Sequence, residues 1–235
     1  MSRPRRNNNR SLCAHDSAQR AAITRVKKPW VADTVSPLIS IVGVREKKEI
    51  KRLTEEGCHV LDVSMRSKHP VWAKFTPAYP HGDIPVPGMP GHMSLSVEGI
   101  WQGLKTFTDG SSVDASRFRA RGGITRTQRK FGDIAGFKFG DAIITEQAAR
   151  HQIFIPSYLW VLHAALATEL NLMAEQLHLG KRIVFLDHTT SEDASDMSKR
   201  FSHAAIIKAV LLSVTTGTAT VAAPTAATRP SEATQ

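Results

Sequence analysis

Residues 155–187 read IPSYLWVLHAALATELNLMAEQLHLGKRIVFLD, and this stretch decides the fold class. Ile155 to Leu179 carries its apolar residues at helical spacing, and Gly180 follows where a helix turns off through a left-handed residue. Arg182 to Asp187 is then a short, almost continuously apolar run that suits a buried strand ending in an acid. Working outward, Val44 to Glu56 repeats the unit as a helix with Ile50 and Leu53 inward. Gly57 is its stop, and Cys58 to Val63 is the following strand, with Asp62 near the carboxyl end. Ser94 to Phe107 reads as a further helix, and Ser202 to Leu212 as the last, with Ala204, Ile207 and Leu211 on one stripe. Pro70 to Pro90 holds six prolines and two glycines. That composition predicts a rigid loop with at most short edge strands, around Trp72 to Phe75 and Ile84 to Val86. Asp114 to Gly136 is basic and glycine-punctuated, a short helix between loops. The sum is a mainly helical α+β domain with a small sheet.

That domain is expected over residues 36–212, between disordered tails. Residues 1–35 mix Asn, Arg and Ser without period, and residues 213–235 are nearly all Thr, Ala, Val, Pro and Ser. Neither composition buries enough apolar surface to offset its ordering entropy. The basic N-terminal tail also resembles a transit peptide in being Arg-rich and acid-poor, but it lacks the apolar core of a secretory signal. The formal charge is +10, of which residues 1–35 hold +6, eight Lys/Arg against Asp16 and Asp33. Nucleic acid is therefore expected as a partner only through this tail. No apolar run is long enough for a membrane span. Cys13 and Cys58 form no CxxC pair, so a reducing, cytoplasmic setting fits. The ten histidines are scattered without HxxxH or HExxH spacing, so no metal is expected. No Walker loop, GxGxxG or GxSxG appears, and no cofactor is expected.

The segment from Ser96 to Lys105 concentrates chemistry. Val97, Ile100, Leu104 and Phe107 recur at helical spacing as an anchoring face. Glu98, Trp101, Gln102 and Lys105 stand at i, i+3, i+4 and i+7, which sets a carboxylate, an indole, an amide and an ammonium on an adjacent stripe. An ordinary solvated face has the same spacing, and a tryptophan so placed is as often core. Gly99 and Gly103 cost about 1 kcal/mol each against alanine in a helix. They are explained either by tight packing or by the close approach of a flat ligand.

Together, Phe75, Thr76, Tyr79 and Pro80 in the loop and Ser96, Val97, Glu98, Gln102 and Lys105 in the helix resemble the NADAR superfamily. Its members carry a Phe-Ser-Asn-Phe-Tyr-Pro-like loop followed by a Ser-Val-Glu-His helix. The likeness covers Trp72 to Lys105 closely and the rest through element order. Pro77 and Ala78 replace the family's Asn and Phe, Gly99 stands where it has His, and its late Asp-x-x-Trp-Gly signature is not found. Asp187, Asp193 and Asp196 are candidates for the acid of that signature. The resemblance implies a NADAR-like fold and hydrolysis of an N-glycosidic bond in a phosphorylated riboside or ADP-ribose conjugate. The alternative is a non-catalytic module of the same fold that binds a nucleotide or ADP-ribose.

On that basis Glu98 and Lys105 are the expected catalytic residues. Tyr79, Trp101, Gln102, Arg66, Ser96 and Asp187 are expected to bind a small-molecule riboside or nucleotide derivative. Developing positive charge on a ribosyl carbon calls for a nearby carboxylate, which is the role for Glu98. Tyr79 and Trp101 offer rings for a base, and Arg66 follows a strand end, where ligands of α/β folds gather. Arg117, Arg119, Arg121, Arg126, Arg129 and Lys130, with Gly122 and Gly123, form either a phosphate cradle or a solvated basic face. His188 and His203 are further candidates for lining a pocket.

Overall fold

Three parallel strands form the centre of the chain, in the order β1 (Ile39–Gly43), β8 (Ile183–Asp187), β2 (His59–Asp62). The computed structural model describes residues 38–215. The tail expected over 1–35 lies outside the described residues, as does the part of 213–235 beyond Thr215. Ile39 pairs with Ile183 on one side of β8, and His59 pairs with Ile183 on the other. A central parallel strand is covered on both faces and must be apolar throughout. Ile183, Val184 and Phe185 are accordingly buried. α1 (Lys47–Glu55) connects β1 to β2 and ends before Gly57 at φ 79°.

The remaining strands form two small antiparallel sheets, β3 (Ile84–Pro85) with β4 (Met93–Ser94), and β5 (Lys105–Phe107), β6 (Ile134–Phe139) and β7 (Ala142–Ile144). The architecture is α+β with three small sheets rather than one. Four local expectations are corrected. The helix predicted over Ser94 to Phe107 is confined to α2 (Val97–Gly103). The Asp114 and Lys138 amides take the carbonyls of Gly103 and Leu104, and β-branched Thr106 and aromatic Phe107 extend into β5 along β6. Trp72–Phe75 is a 3-10 turn and not an edge strand.

The helix expected over Ile155 to Leu179 is two, α5 (Ile155–Ala164) and α6 (Ala167–His178). Ala165 and Leu166 amides both close on the Val161 carbonyl, and buried Leu166 seats the corner. The axis turns by 83° there. The last helix, α7, runs His203–Thr215 and so takes the first three residues of the predicted tail. Its Ala204, Ile207 and Leu211 are buried, as its stripe requires. Two short helices, α3 (Gln128–Phe131) and α4 (Glu146–Ala149), and a 3-10 turn, Ala115–Arg119, complete the described elements; α4 passes into α5 through a π-helix, Arg150–Phe154. The larger apolar cluster joins Phe185, Phe75, Ile100, Tyr158, Leu162 and Ile207, and a smaller one joins Val42, Leu53, Cys58 and Val184 beside α1. Burial of each such side chain contributes about 1.5–3 kcal/mol. Among the described residues no single helix is long and apolar enough to cross a membrane.

Candidate functional site

The carboxyl ends of β2 and β8 open toward α2 and β5, and a cleft of about 740 Å³ lies between them. Its position follows the rule that ligand crevices in parallel sheets lie beyond the strands' carboxyl ends. Met65 follows β2 and His188 follows β8; both line the cleft, as do Glu98 and Trp101 from α2 and Lys105 from β5.

The loop and helix that carry the resemblance meet at this cleft. Pro77, one of the lining residues, gives its carbonyl to the Glu98 amide at 2.8 Å. The buried Tyr158 hydroxyl donates to the Phe75 carbonyl and fixes the base of the loop. Ser96 is the N-cap of α2, its Oγ accepting from the Gly99 amide at 3.0 Å. That bond occupies the hydroxyl structurally, and Ser96 does not line the cleft.

Glu98, Gln102 and Lys105 form a chain of hydrogen bonds. Gln102 Nε2 donates to Glu98 Oε1 at 2.7 Å, and Lys105 Nζ donates to Gln102 Oε1 at 3.0 Å. The same Gln102 oxygen accepts the Arg126 amide at 3.0 Å. Lys105 lies on a strand rather than one helical turn beyond Gln102, and it reaches Gln102 from β5. Burial pushes the half-buried Glu98 carboxyl up, against the Gln102 hydrogen bond and the charges of Lys105 and His203. Burial likewise pushes the Lys105 amine down, opposed by Glu98 and Glu146. Arg126 is buried beneath this chain. Its Nη1 donates to the Lys105 carbonyl at 2.7 Å, and its guanidinium lies over the rings of Phe107 and Phe131 at 4.6 and 5.0 Å.

The opposite wall is built on Asp187. Its Oδ2 accepts from Ser202 Oγ at 2.7 Å and stands 3.1 Å from His203 Nδ1, and its Oδ1 accepts the His188 amide at 2.7 Å. Burial opposes the charge on Asp187, but those hydrogen bonds outweigh it and hold the carboxyl below its usual range. His203 Nε2 meets the Val63 carbonyl at 2.8 Å. Both ring nitrogens are therefore occupied, which leaves none for a metal or a reacting group. Among the described residues no group of three His, Cys, Asp or Glu could hold a metal ion.

Of the sequence-predicted residues, Glu98, Trp101, Gln102, Lys105 and Asp187 are brought together around the cleft, with His188 and His203. Trp101 is both core and lining: it packs on Phe137 at 4.1 Å and on Phe154 at 5.7 Å. The Tyr79 ring lies 4.8 Å from that of His81, tilted by 50°, and Arg66 is exposed; neither lines the cleft. Of the basic run, only Arg126 lines it. Gly99 and Gly103 admit protein, not ligand. A Cβ at Gly99 would stand 2.7 Å from the Arg117 carbonyl, and one at Gly103 2.4 Å from Phe118 Cε1.

Sequence reasoning missed Glu146, Arg150 and Arg200, which also line the cleft. Arg150 is buried at the start of the π-helix and donates to the carbonyls of Ala194, Asp196 and Lys199, tying down the segment before Arg200. π-Helices often mark functional sites, but no local sequence signal identifies this one. Arg200 is exposed at the rim and has no ion-pair partner among the described residues.

One family model, described as a family of unknown function (DUF6939), matches residues 43–207. That span includes every cleft-lining residue named above. No curated protein and no solved structure matches the chain.

Proposed function

The chain belongs to the DUF6939 family, and for this member we propose a NADAR-like N-glycosidase acting on a phosphorylated riboside or ADP-ribose conjugate. One observation carries the reading. The Glu98 carboxylate sits half-buried in a cleft with its Oε1 held by Gln102 and no protein partner on Oε2 among the described residues. An unpaired carboxylate is costly to bury, and a role in which it faces developing positive charge accounts for its retention.

In this reading, Glu98 Oε2 faces the ribosyl C1. As the C–N bond breaks, the base leaves with the electron pair, and the carboxylate stabilises the cationic sugar and takes a proton from the attacking water. Gln102 orients Glu98. Lys105 lies at the far end of the same hydrogen-bonded chain. The uncommitted guanidinium of Arg200, rather than Arg66, is the phosphate contact, because Arg200 lines the cleft. The free edge of Trp101 serves the base.

The test is to incubate wild type and Glu98→Gln with ADP-ribosylated guanosine and with a ribosylaminouracil phosphate, and to follow the released guanosine or aminouracil by chromatography. Wild type is expected to release the leaving group from at least one, and Glu98→Gln to lose about 10²-fold or more in rate, the usual worth of a positioned acid or base. Absence of turnover by wild type, or equal rates in the variant, overturns the proposal. Saturable binding without turnover identifies a binding module instead.

A further inference from the structure

Lys105 is the cation of this cleft whose surroundings least suit a charge. Its side chain is buried, only 8% of the residue being exposed, and it lines the cleft. Its Nζ has one protein partner, the neutral Gln102 Oε1 at 3.0 Å, and no carboxylate oxygen of the described residues lies within 4.0 Å. Burial is the largest influence on it; the more distant charges of Glu98 and Glu146 favour the ammonium, and those of Arg126 and Arg200 oppose it. A buried ammonium with no carboxylate in contact is penalised by desolvation, whereas a neutral amine can keep its hydrogen bond to Gln102 and turn its lone pair to the cleft. Desolvated lysines of this kind are carbonyl nucleophiles. A carboxyl that burial disposes to hold a proton stands across Gln102, at Glu98.

We propose that Lys105 is a carbonyl-reactive amine that forms an imine with the reducing end of an aldose phosphate bound in the cleft. The proposal rests on the N-glycosidase reading only for the ligand's class, a phosphorylated sugar with a reactive C1. The Lys105 lone pair attacks the aldehyde carbon, and the carbonyl oxygen takes a proton from Glu98. Nitrogen then releases a proton to Glu98, which passes it to the carbinolamine hydroxyl, and that hydroxyl leaves as water. The nitrogen pair forms C=N, and the resulting iminium gives up its last proton to Glu98, which is thereby restored, so amine and aldehyde become imine and water with no oxidant or reductant. Arg200 at the rim is the guanidinium available to the phosphate.

Reductive trapping tests this on the full chain. Ribose 5-phosphate and sodium cyanoborohydride are added near neutral pH, and intact mass and peptide maps are recorded. Hydride adds to the imine carbon, so the adduct has the mass of the sugar less one oxygen. One adduct is expected, on the peptide containing Lys105, while exposed Lys51 and Lys181 stay unmodified over the same time. Excess inorganic phosphate should slow it, and Lys105→Met should lose it. An unmodified Lys105, or labelling spread evenly over exposed lysines, overturns the proposal; the wild-type peptide map decides this even where the variant fails to fold. Trapping needs no glycosidic cleavage. Trapping without turnover therefore removes the hydrolase reading alone, and turnover without trapping removes the imine alone.

Discussion

Substitution of Gly99 by alanine probes how α2 is seated, and with it the position of Glu98. The new Cβ would stand 2.7 Å from the Arg117 carbonyl oxygen, 2.9 Å from Ser94 Oγ and 3.1 Å from Ser96 Oγ. Contact distances are about 3.5–4.0 Å for carbon. The Arg117 oxygen is backbone, in the turn Ala115–Arg119, and cannot swing aside. Overpacking costs about 1–3 kcal/mol, and a clash this close with backbone stands in the upper part of that range, about 2–3 kcal/mol. Alanine regains at most about 1 kcal/mol of helix propensity. The net is a loss of about 1–2 kcal/mol, or about 2–8 °C in Tm for a domain of this size. Gly122→Ala is the control, since nothing lies within 4 Å of its Cβ position, and it should fall within about 0.5 kcal/mol of wild type. Thermal unfolding by circular dichroism measures all three proteins. A Gly99→Ala protein as stable as wild type, or more so, refutes the packing explanation. The same geometry leaves no room for a side chain as large as histidine at position 99.

Asp187→Ala strips the acceptor from Ser202, His203 and the His188 amide inside the protein, and is expected to cost about 3–5 kcal/mol in urea denaturation. Because the folded Asp187 pKa is lowered, its contribution is present above the ordinary 3.8 and is lost as pH falls through the lowered value. Glu98 has the opposite sign: its folded pKa is raised, so stability falls as pH climbs from 4.5 through the raised value. Glu98→Gln should therefore flatten that part of the pH–stability curve and gain about 1 kcal/mol at neutral pH, a figure discounted for partial exposure. Lys105 is lowered, so wild-type stability rises with pH between its folded value and 10.5, a slope that Lys105→Met should abolish. Tyr158→Phe leaves the buried Phe75 carbonyl without its donor and should cost about 1–3 kcal/mol by the same denaturation.

Much of the scaffold was legible because it rests on short-range signals. Gly57 and Gly180 both adopt the positive φ of helix stops, and the apolar run at Ile183–Asp187 is the central strand. What failed depends on long-range contacts. Lys105–Phe107 continues a helical pattern in sequence and becomes a strand only because β6 offers it an edge. The corner at Leu166 has no glycine or proline to announce it and is set by burial. The site divides in the same way. Glu98, Trp101 and Gln102 share a helix, so spacing brings them together. Asp187, Arg150 and Arg200 reach the cleft from distant segments through the fold, and Arg66 and Tyr79, though close in sequence to cleft residues, do not line it.

The central claim, that the cleft seats a phosphorylated ribosyl group against Glu98, is tested most directly by a crystal structure of Glu98→Gln grown with ADP-ribose. The account predicts density in the cleft with a phosphate at Arg200 and the ribosyl C1 facing the amide at position 98. Ligand bound only outside the cleft, or a cleft holding solvent alone at saturating ADP-ribose, contradicts it.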